Sequence, residues 1–174
     1  MSYVQKRFRV YSKSKRSVAE IDSTIFTNYT VMFQKTVFRV AYSFVKNCAD
    51  AEDITQEAFL KLYKSSESFN SDENVKAWLI RVTSNIAKNH LSSAWYRRKA
   101  ALTDDIALKS EEDYALLEAL NALDKNYRTV IYLHYYEGYS VKEAASLLGI
   151  SESNAKARLK RGRDKLREIL TDEE

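Results

Sequence analysis

The 174-residue sequence has little of what interrupts or cross-links a chain: three glycines, no proline and one cysteine. Because glycine and proline mark most turns and helix breaks, their scarcity favours long helices joined by polar loops. The single Cys48 excludes an internal disulfide, and the two histidines form no cysteine–histidine cluster with the spacing of a zinc site. These absences predict an all-α protein without a cofactor, suited to a reducing cytoplasm.

Long apolar runs are also missing, since nowhere do roughly 18 uncharged apolar residues follow one another, as a membrane helix requires. The first residues, 1–21, are basic, with no acid before Glu20, and their apolar stretches are too short for a signal peptide. We therefore expect a cytoplasmic protein with no membrane insertion, whose residues 1–21 form a mobile basic tail.

Charge of one sign is absent from several stretches, although the formal net charge is only +4. Residues 76–100 and 153–163 contain no acid, whereas residues 50–60 contain no base and residues 103–118 are mostly acidic. The local sign of a surface decides which partners it attracts more than the total does. Two basic blocks separated by an acidic one suggest two DNA-facing surfaces on a chain that also meets another partner.

Apolar residues at steps of three and four predict three helices in the first half of the chain. We expect Asp50 to be the N-cap of the second helix, after a break at residues 47–49. The predicted buried stripes are Phe26, Tyr29, Phe33, Val37, Val40, Ala41 and Phe44 in the first helix, Ile54, Ala58 and Tyr63 in the second, and Val75, Trp78, Leu79, Val82 and Ile86 in the third.

Periodicity weakens from Trp95 to Ala107, which divides the chain into a domain at residues 22–96, a flexible linker at 97–112 and a domain at 113–174. In the second domain, a helix containing Val130, Ile131 and Leu133 is predicted to continue to Gly138. The other predicted core positions there are Leu116, Leu117, Leu120, Leu123, Val141, Ala144, Ala145, Leu148, Ala155, Leu159, Gly162, Leu166 and Leu170.

The stretch YSVKEAASLLGISESNAKARLKRGRDKL predicts a helix-turn-helix. Ser140 and Glu143 form a capping box, Gly149 permits a tight turn, and Ser151 caps a second helix whose outer side is basic. In this geometry the second helix lies in the major groove, where the small Ala157 would allow close approach to base edges. The outward face contains Ser153, Ala157, Lys160 and Arg161, flanked by Asn154, Lys156 and Arg158.

The acidic start of the second helix has several interpretations. Four carboxylates could form a catalytic or metal site, but no histidine lies near them in sequence. An acid-rich helix N-terminus, favoured by the macrodipole, or a surface for a basic partner is the simpler interpretation. Phe69 and Trp95 lie in polar, loop-like surroundings, where an exposed aromatic ring could hold an unstacked base.

Three segments, DAEDITQEAFLKLY, FNSDENVKAWLIRVTSNIAKNHL and LLEALNALDKNYRTVIYLHYYEGYSVKEAASLLGISESNAKARLKRGRDKLREIL, occur in this order. Together they resemble the extracytoplasmic-function (ECF) sigma factors of bacterial RNA polymerase, over about residues 25–170. The resemblance implies a region 2 helical bundle and a region 4 helix-turn-helix, joined by a flexible linker. It also implies a non-enzymatic subunit whose partners are core polymerase (the β′ clamp helices and the β flap), promoter DNA and an anti-sigma factor.

The resemblance also assigns residues to contacts. Core polymerase contacts would fall on Asp50, Glu52, Asp53, Gln56, Glu57 and Leu60. Contacts to the melted −10 element, including a flipped base, would fall on Phe69, Arg81, Asn85, Lys88 and Asn89. Contacts to the −35 element would fall on Asn154, Lys156, Ala157, Lys160 and Arg161, beside Ser153 and Arg158.

This sequence departs from the family pattern at two places. The recognition helix has N-A-K-A-R-L-K, with Ala157 in place of a frequent serine and Lys160 as an added charge, which predicts a different −35 preference. The family's proline ahead of the second region 4 helix is missing, and LDKNYR stands in its place. Three alternatives remain: a dimeric helix-turn-helix regulator acting without polymerase, a helical adaptor with no DNA role, and an acid-cluster hydrolase.

Overall fold

The computed structural model describes residues 21–93 and 122–171, with the side chains of 169–171 excepted. These two ranges contain helices and no strand, in agreement with the all-α prediction. The predicted linker at 97–112, Trp95 and most of the N-terminal tail lie outside the described residues. The helices are α1 (Ser23–Val45), α2 (Cys48–Tyr63), α3 (Asp72–Ser92), α4 (Lys125–Ile131), α5 (Val141–Leu148) and α6 (Glu152–Thr171), and a π-helical segment (Tyr132–Tyr136) follows α4.

Helix α2 begins earlier than predicted. Asn47 is its N-cap, because the Asn47 side chain accepts the backbone N–H of Asp50 at 2.9 Å. Lys46 ends α1 in the left-handed conformation, with φ 55°, so that the two helices are separated by two residues only. The prediction that Asp50 caps α2 is therefore wrong: Asp50 lies inside the first turn.

The first half packs α1, α2 and α3 around one core. The predicted stripes of all three helices contribute to it as buried or partly buried residues, with two exceptions. Val40 lies in the core of the second half, and Tyr63 packs edge-on against Phe26, with ring centroids 5.2 Å apart. Phe59 and Leu62 of α2 are also fully buried, although the sequence pattern did not select them. The fully or nearly buried members of this core are Phe33, Val37, Ala41, Tyr42, Val45, Ala51, Ile54, Ala58, Phe59, Leu62, Val75, Leu79, Ile86 and Ala87.

The second half packs α4, α5 and α6 around Leu123, Val130, Leu133 and the apolar faces of α5 and α6. The α-helix predicted to reach Gly138 instead ends at Ile131, and the chain continues as the π-helical segment before Gly138 turns it with φ +75°. The expected capping box is present, and Gly149 adopts the left-handed conformation that its turn requires. Leu116, Leu117 and Leu120 lie outside the described ranges.

The two halves pack against each other. Val40 of α1 and Ile80 of α3 are fully buried in the core of the second half. Arg128 of α4 is buried at the boundary, where its Nε donates to the Ser43 carbonyl at 2.6 Å and its Nη1 donates to the Leu123 carbonyl at 2.9 Å. Lys76 of α3 forms an ion pair with Glu137 at 2.7 Å. The sequence pattern predicted neither the packing of the two halves nor these hydrogen bonds and this ion pair between them.

Candidate nucleic-acid interface

Helix α6 presents a polar, mostly basic face to solvent. Its predicted outward residues are exposed, and Ala157 lies at the centre of that face, as the helical spacing predicted. Lys156 pairs with Glu152 at 2.7 Å one turn away. Arg158 differs, because it is only partly exposed and its Nε donates to Asn154 Oδ1 at 2.8 Å. The exposed residues of the face are Ser153, Asn154, Lys156, Ala157, Lys160 and Arg161.

Capping residues and a glycine turn, all close together in the chain, set where α5 and α6 begin and how the chain turns between them. The Ser140 hydroxyl accepts the backbone N–H of Glu143, and the Glu143 carboxylate accepts the Ser140 N–H at 2.8 Å, which together start α5. Gly149 ends α5 with φ +63°, a conformation that side chains with a Cβ rarely adopt. Ser151 then accepts the N–H of Asn154 at 3.2 Å and starts α6. This is the helix-turn-helix arrangement that the sequence predicted.

Helix α3 presents the second basic strip. Arg81, Asn85, Lys88 and Asn89 are exposed, and their spacing of four, three and one residues places them on one side of the helix. No acid occurs in residues 76–100. The strip itself therefore carries no acid that would repel phosphates, and the Asn85 and Asn89 amides can donate to or accept from a base edge.

Phe69 lies in the loop before α3, where the sequence predicted an exposed ring. The ring is only partly exposed and packs edge-on against Trp78, with ring centroids 5.8 Å apart and planes at 75°. Both rings contact the first core. Because Trp78 precedes Asn85 by seven residues, two helical turns, the aromatic pair lies at one end of the α3 strip.

The first turns of α2 form an acidic surface. Glu52, Asp53 and Glu57 are exposed, Gln56 and Leu60 are partly exposed, and Glu57 pairs with Lys61 at 3.4 Å. Spacings of one and three residues place these five side chains on one side of α2, where a single binding partner could contact all of them.

Asp50 lies apart from that acidic surface. It is 5% exposed, and its Oδ2 lies 3.7 Å from Nε2 of His90 in α3. Because the carboxylate faces α3 rather than solvent, Asp50 connects α2 to α3. Among the described residues, no group of three or more histidines, cysteines and carboxylates is arranged to hold a metal ion.

The two basic surfaces meet at the boundary between the halves. The Lys88 ammonium, at the edge of the α3 strip, donates to the Leu148 carbonyl at the end of α5. Arg158 of α6 lines the same pocket as Lys88. Partial burial lowers the pKa of Lys88, and the charge of Arg158 lowers it further. These two cations were predicted to lie on separate DNA surfaces, and Lys125, which lines the pocket with them, was not predicted as a site residue.

In the described ranges, none of the helices combines the length and the apolar character of a membrane-spanning segment. Two family models match the chain: Sigma-70 region 2 over residues 31–97 and Sigma-70 region 4 over residues 113–166. The first match includes α3 and the acidic surface of α2, and the second includes the helix-turn-helix. Each basic surface therefore lies in a different matched region.

Relatives of known family extend the match to nearly the whole chain. The sequence is 31% identical over 170 residues to the RNA polymerase sigma factor SigV of Bacillus subtilis, covering 93% of this chain and 98% of SigV. It is 26% identical over 180 residues to the ECF RNA polymerase sigma factor SigW of the same organism, covering 92% and 96%. It is 32% identical over 152 residues to the probable RNA polymerase sigma factor RfaY of Xanthomonas campestris. That match covers 79% of this chain but only 38% of RfaY, which is a longer protein.

Solved structures share the fold. The sigma factor RpoE, in a co-crystal with the anti-sigma factor NepR from Bartonella quintana, matches with a TM-score of 0.65 and 25% identity, over 85% of this chain and 98% of that chain. The structure of CnrH in complex with the cytosolic domain of CnrY matches in fold, with a TM-score of 0.62 and 24% identity, over 88% and 92%.

Proposed function

The chain belongs to the extracytoplasmic-function sigma factors of the sigma-70 family of bacterial RNA polymerase, and from this membership we propose which of its surfaces makes each contact. As a sigma factor it binds core RNA polymerase and directs it to promoter DNA. The assignment rests on one observation. The two halves each have an exposed basic helical face, on α3 and on α6, and the first turns of α2 form an exposed acidic surface. We propose that the protein catalyses no reaction itself, since the polymerase synthesises the RNA. We also propose that it is cytoplasmic.

Helix α6 reads the −35 element in this proposal. Its exposed face is basic at the edges and small at the centre, where Ala157 lets the helix backbone approach base edges or a thymine methyl group. Lys160 and Arg161 lie beside it and can contact phosphate or guanine. The family's frequent serine at the position of Ala157 would offer a hydroxyl that this helix lacks, so a different −35 sequence is expected to be preferred.

The α3 strip holds the single strand of the −10 element. Arg81 and Lys88 supply charge for the phosphates, and Asn85 and Asn89 supply amides for a flipped base. The packing of Phe69 against Trp78 supports a modified role for Phe69: its partly exposed ring can serve as one wall of a base pocket rather than as a free stacking platform.

The acidic surface of α2 docks on core polymerase. The exposed Asp53 and Glu52 are the residues to test, whereas the buried Asp50 is assigned a structural role, because it faces His90. Asp53→Arg should impair binding to core polymerase in a pull-down, since it reverses a charge in the centre of the surface. The matched control is Glu67→Arg, an exposed acid in the loop after α2; equal retention of the Asp53→Arg variant and the wild type would contradict the docking assignment.

The packed halves must separate for both elements to be bound together. Positions −35 and −10 are about 25 base pairs apart, or roughly 85 Å along straight B-DNA at about 3.4 Å per base pair. Lys88 and Arg158, one from each proposed surface, instead line a single pocket. The packed arrangement of the two halves is therefore that of the protein before it engages a promoter. A protein anti-sigma factor, like NepR in the RpoE complex, is proposed to bind this chain too.

Run-off transcription with core polymerase on a promoter library tests the proposal. We expect sequence-selective initiation above core polymerase alone, with Asn85→Ala altering the selected −10 sequence. If initiation is no more selective than with core polymerase alone, the proposed function is wrong. Tight binding of the free protein to a palindromic duplex, without polymerase, would instead support the dimeric regulator.

A further inference from the structure

A pocket of about 280 Å³ lies where the two halves meet. Its walls come from five helices and from the turn of the helix-turn-helix, so that neither half forms it alone. Apolar side chains make up part of the wall, and polar or charged side chains face them. The lining residues are Phe44, Lys88, Leu91, Ser92, Lys125, Asn126, Thr129, Leu148, Ile150 and Arg158.

The charge of the pocket is of one sign. Lys88, Lys125 and Arg158 line it, and none of the described lining residues is acidic. Two of these cations have their directions fixed, because Lys88 donates to the Leu148 carbonyl and Arg158 donates to Asn154 Oδ1. Neither of those acceptors carries a charge, so the hydrogen bonds position the cations without neutralising them.

Electrostatics in the pocket favour an added anion. The pKa of Lys88 is lowered first by burial and then by the nearby charge of Arg158. Both causes make the charged lysine less favourable in the closed arrangement than in water. A multivalent anion placed between the two cations would attract both and offset this penalty.

We propose that this pocket binds a small oligophosphate anion, such as pyrophosphate or the terminal diphosphate of a nucleotide, and that the bound anion holds the two halves together. The volume is near the lower end of that of small-molecule sites, which suits a short phosphate chain. A volume of about 280 Å³ is too small to admit a DNA duplex, whose phosphates would instead meet the outer face of α6. Asn126 adds a side-chain amide to the three cations.

The proposal goes beyond promoter recognition, although its consequence for transcription rests on the proposed function. Lys88 and Arg158 cannot hold an anion between the halves and contact separated promoter elements together. The anion would therefore compete with promoter binding and act as a small-molecule brake on this sigma factor.

Calorimetric titration of the full chain with pyrophosphate, in the absence of polymerase and promoter, tests the pocket. We expect one site per chain, about tenfold weaker binding in Lys125→Gln, and a change of less than about twofold in the matched control Lys160→Gln. Lys125 is exposed and belongs to none of the proposed DNA or polymerase contacts, so this variant should fold and still support run-off transcription.

A second arm separates the pocket from ordinary phosphate attraction. Binding of a short non-specific DNA duplex should weaken in Lys160→Gln and remain nearly unchanged in Lys125→Gln, the reverse of the pyrophosphate result. Pyrophosphate should also raise the melting temperature of the wild type more than that of Lys125→Gln. Absence of one-to-one pyrophosphate binding, or equal sensitivity to the two lysine variants, would overturn the pocket assignment while leaving the sigma factor function intact.

Discussion

Gly162 sets how closely α6 can approach α4. A Cβ at this position would lie 2.5 Å from Ile131 Cδ1 and 3.1 Å from Tyr127 Cβ. Because both neighbours are held in the second core or against it, Gly162→Ala is expected to destabilise the protein by about 1–3 kcal/mol, the usual cost of overpacking. Urea unfolding followed by circular dichroism measures the difference.

The control for this prediction is Lys160→Ala, which changes an exposed residue of the same helix. It should alter the free energy of unfolding by no more than about 0.5 kcal/mol. If Gly162→Ala proves as stable as the wild type, Ile131 and Tyr127 have room to move and the close contact of α6 with α4 is not tightly fixed.

Arg161 is the residue at which −35 recognition can be tested most directly. It lies one helical turn from Ala157 on the exposed face of α6. If it reads a base, Arg161→Ala should cost about 1–3 kcal/mol of discrimination at a single promoter position. Run-off transcription on −35 variants measures this loss. Arg163→Ala removes the same charge from another side of α6 and should not alter sequence preference; an even loss at all promoters in Arg161→Ala would indicate a phosphate contact.

At the scale of an element, the capping box decides whether α5 holds its place in the helix-turn-helix. Ser140→Ala removes the side chain that accepts the Glu143 N–H, and it should cost about 0.5–2 kcal/mol, as N-cap replacements do. Urea unfolding at neutral pH measures the loss. If Ser140→Ala unfolds at the wild-type urea concentration, the box contributes little to α5.

The same cap has a pH dependence with a definite sign. The Ser140 hydroxyl and then its backbone N–H lower the pKa of Glu143 below its usual value. A lowered folded pKa means that this stabilisation is present at neutral pH and is lost as the pH falls through the folded pKa. The stability difference between wild type and Ser140→Ala should therefore shrink in acid. Glu143→Gln should remove that pH-dependent part, since glutamine keeps the reach but not the charge.

At the scale of the whole molecule, Arg128 connects the halves. Its guanidinium donates to Ser43 in α1 and to Leu123, which precedes α4. Arg128→Met keeps an apolar stem but leaves the Ser43 carbonyl without this donor, a loss of about 1–3 kcal/mol. We expect the halves to separate more readily, which small-angle X-ray scattering would record as a larger radius of gyration.

Circular dichroism on the same Arg128→Met sample checks that the helices remain. Arg163→Met, which changes an exposed arginine of α6, should leave the radius of gyration unchanged. An unchanged radius in Arg128→Met as well would mean that Val40 and Ile80 hold the halves together without the hydrogen bonds.

Particular residues mark where prediction from sequence succeeded and where it stopped. The stripes of α1 and α3, the box at Ser140 and Glu143, and the turn at Gly149 follow from local periodicity and backbone preference, and all are present. The cap of α2 was misplaced because Asn47 and Asp50 are both good capping residues, and the sequence offers no rule to choose between them. Ile80 was not selected because it lies off the main stripe of α3 and is buried only by the second half.

The helical class, the basic faces of α3 and α6 and the acidic start of α2 could be predicted without a structure, because they depend on residues close together in the chain. The family could be predicted from three segments that occur in a fixed order over about residues 25–170. Only the tertiary structure decided that Asp50 faces inward, that Arg128 joins the halves, and that Lys88, Lys125 and Arg158 share one pocket. The reason is physical: periodicity gives the faces of a helix, but which face another helix covers depends on contacts between residues far apart in the chain.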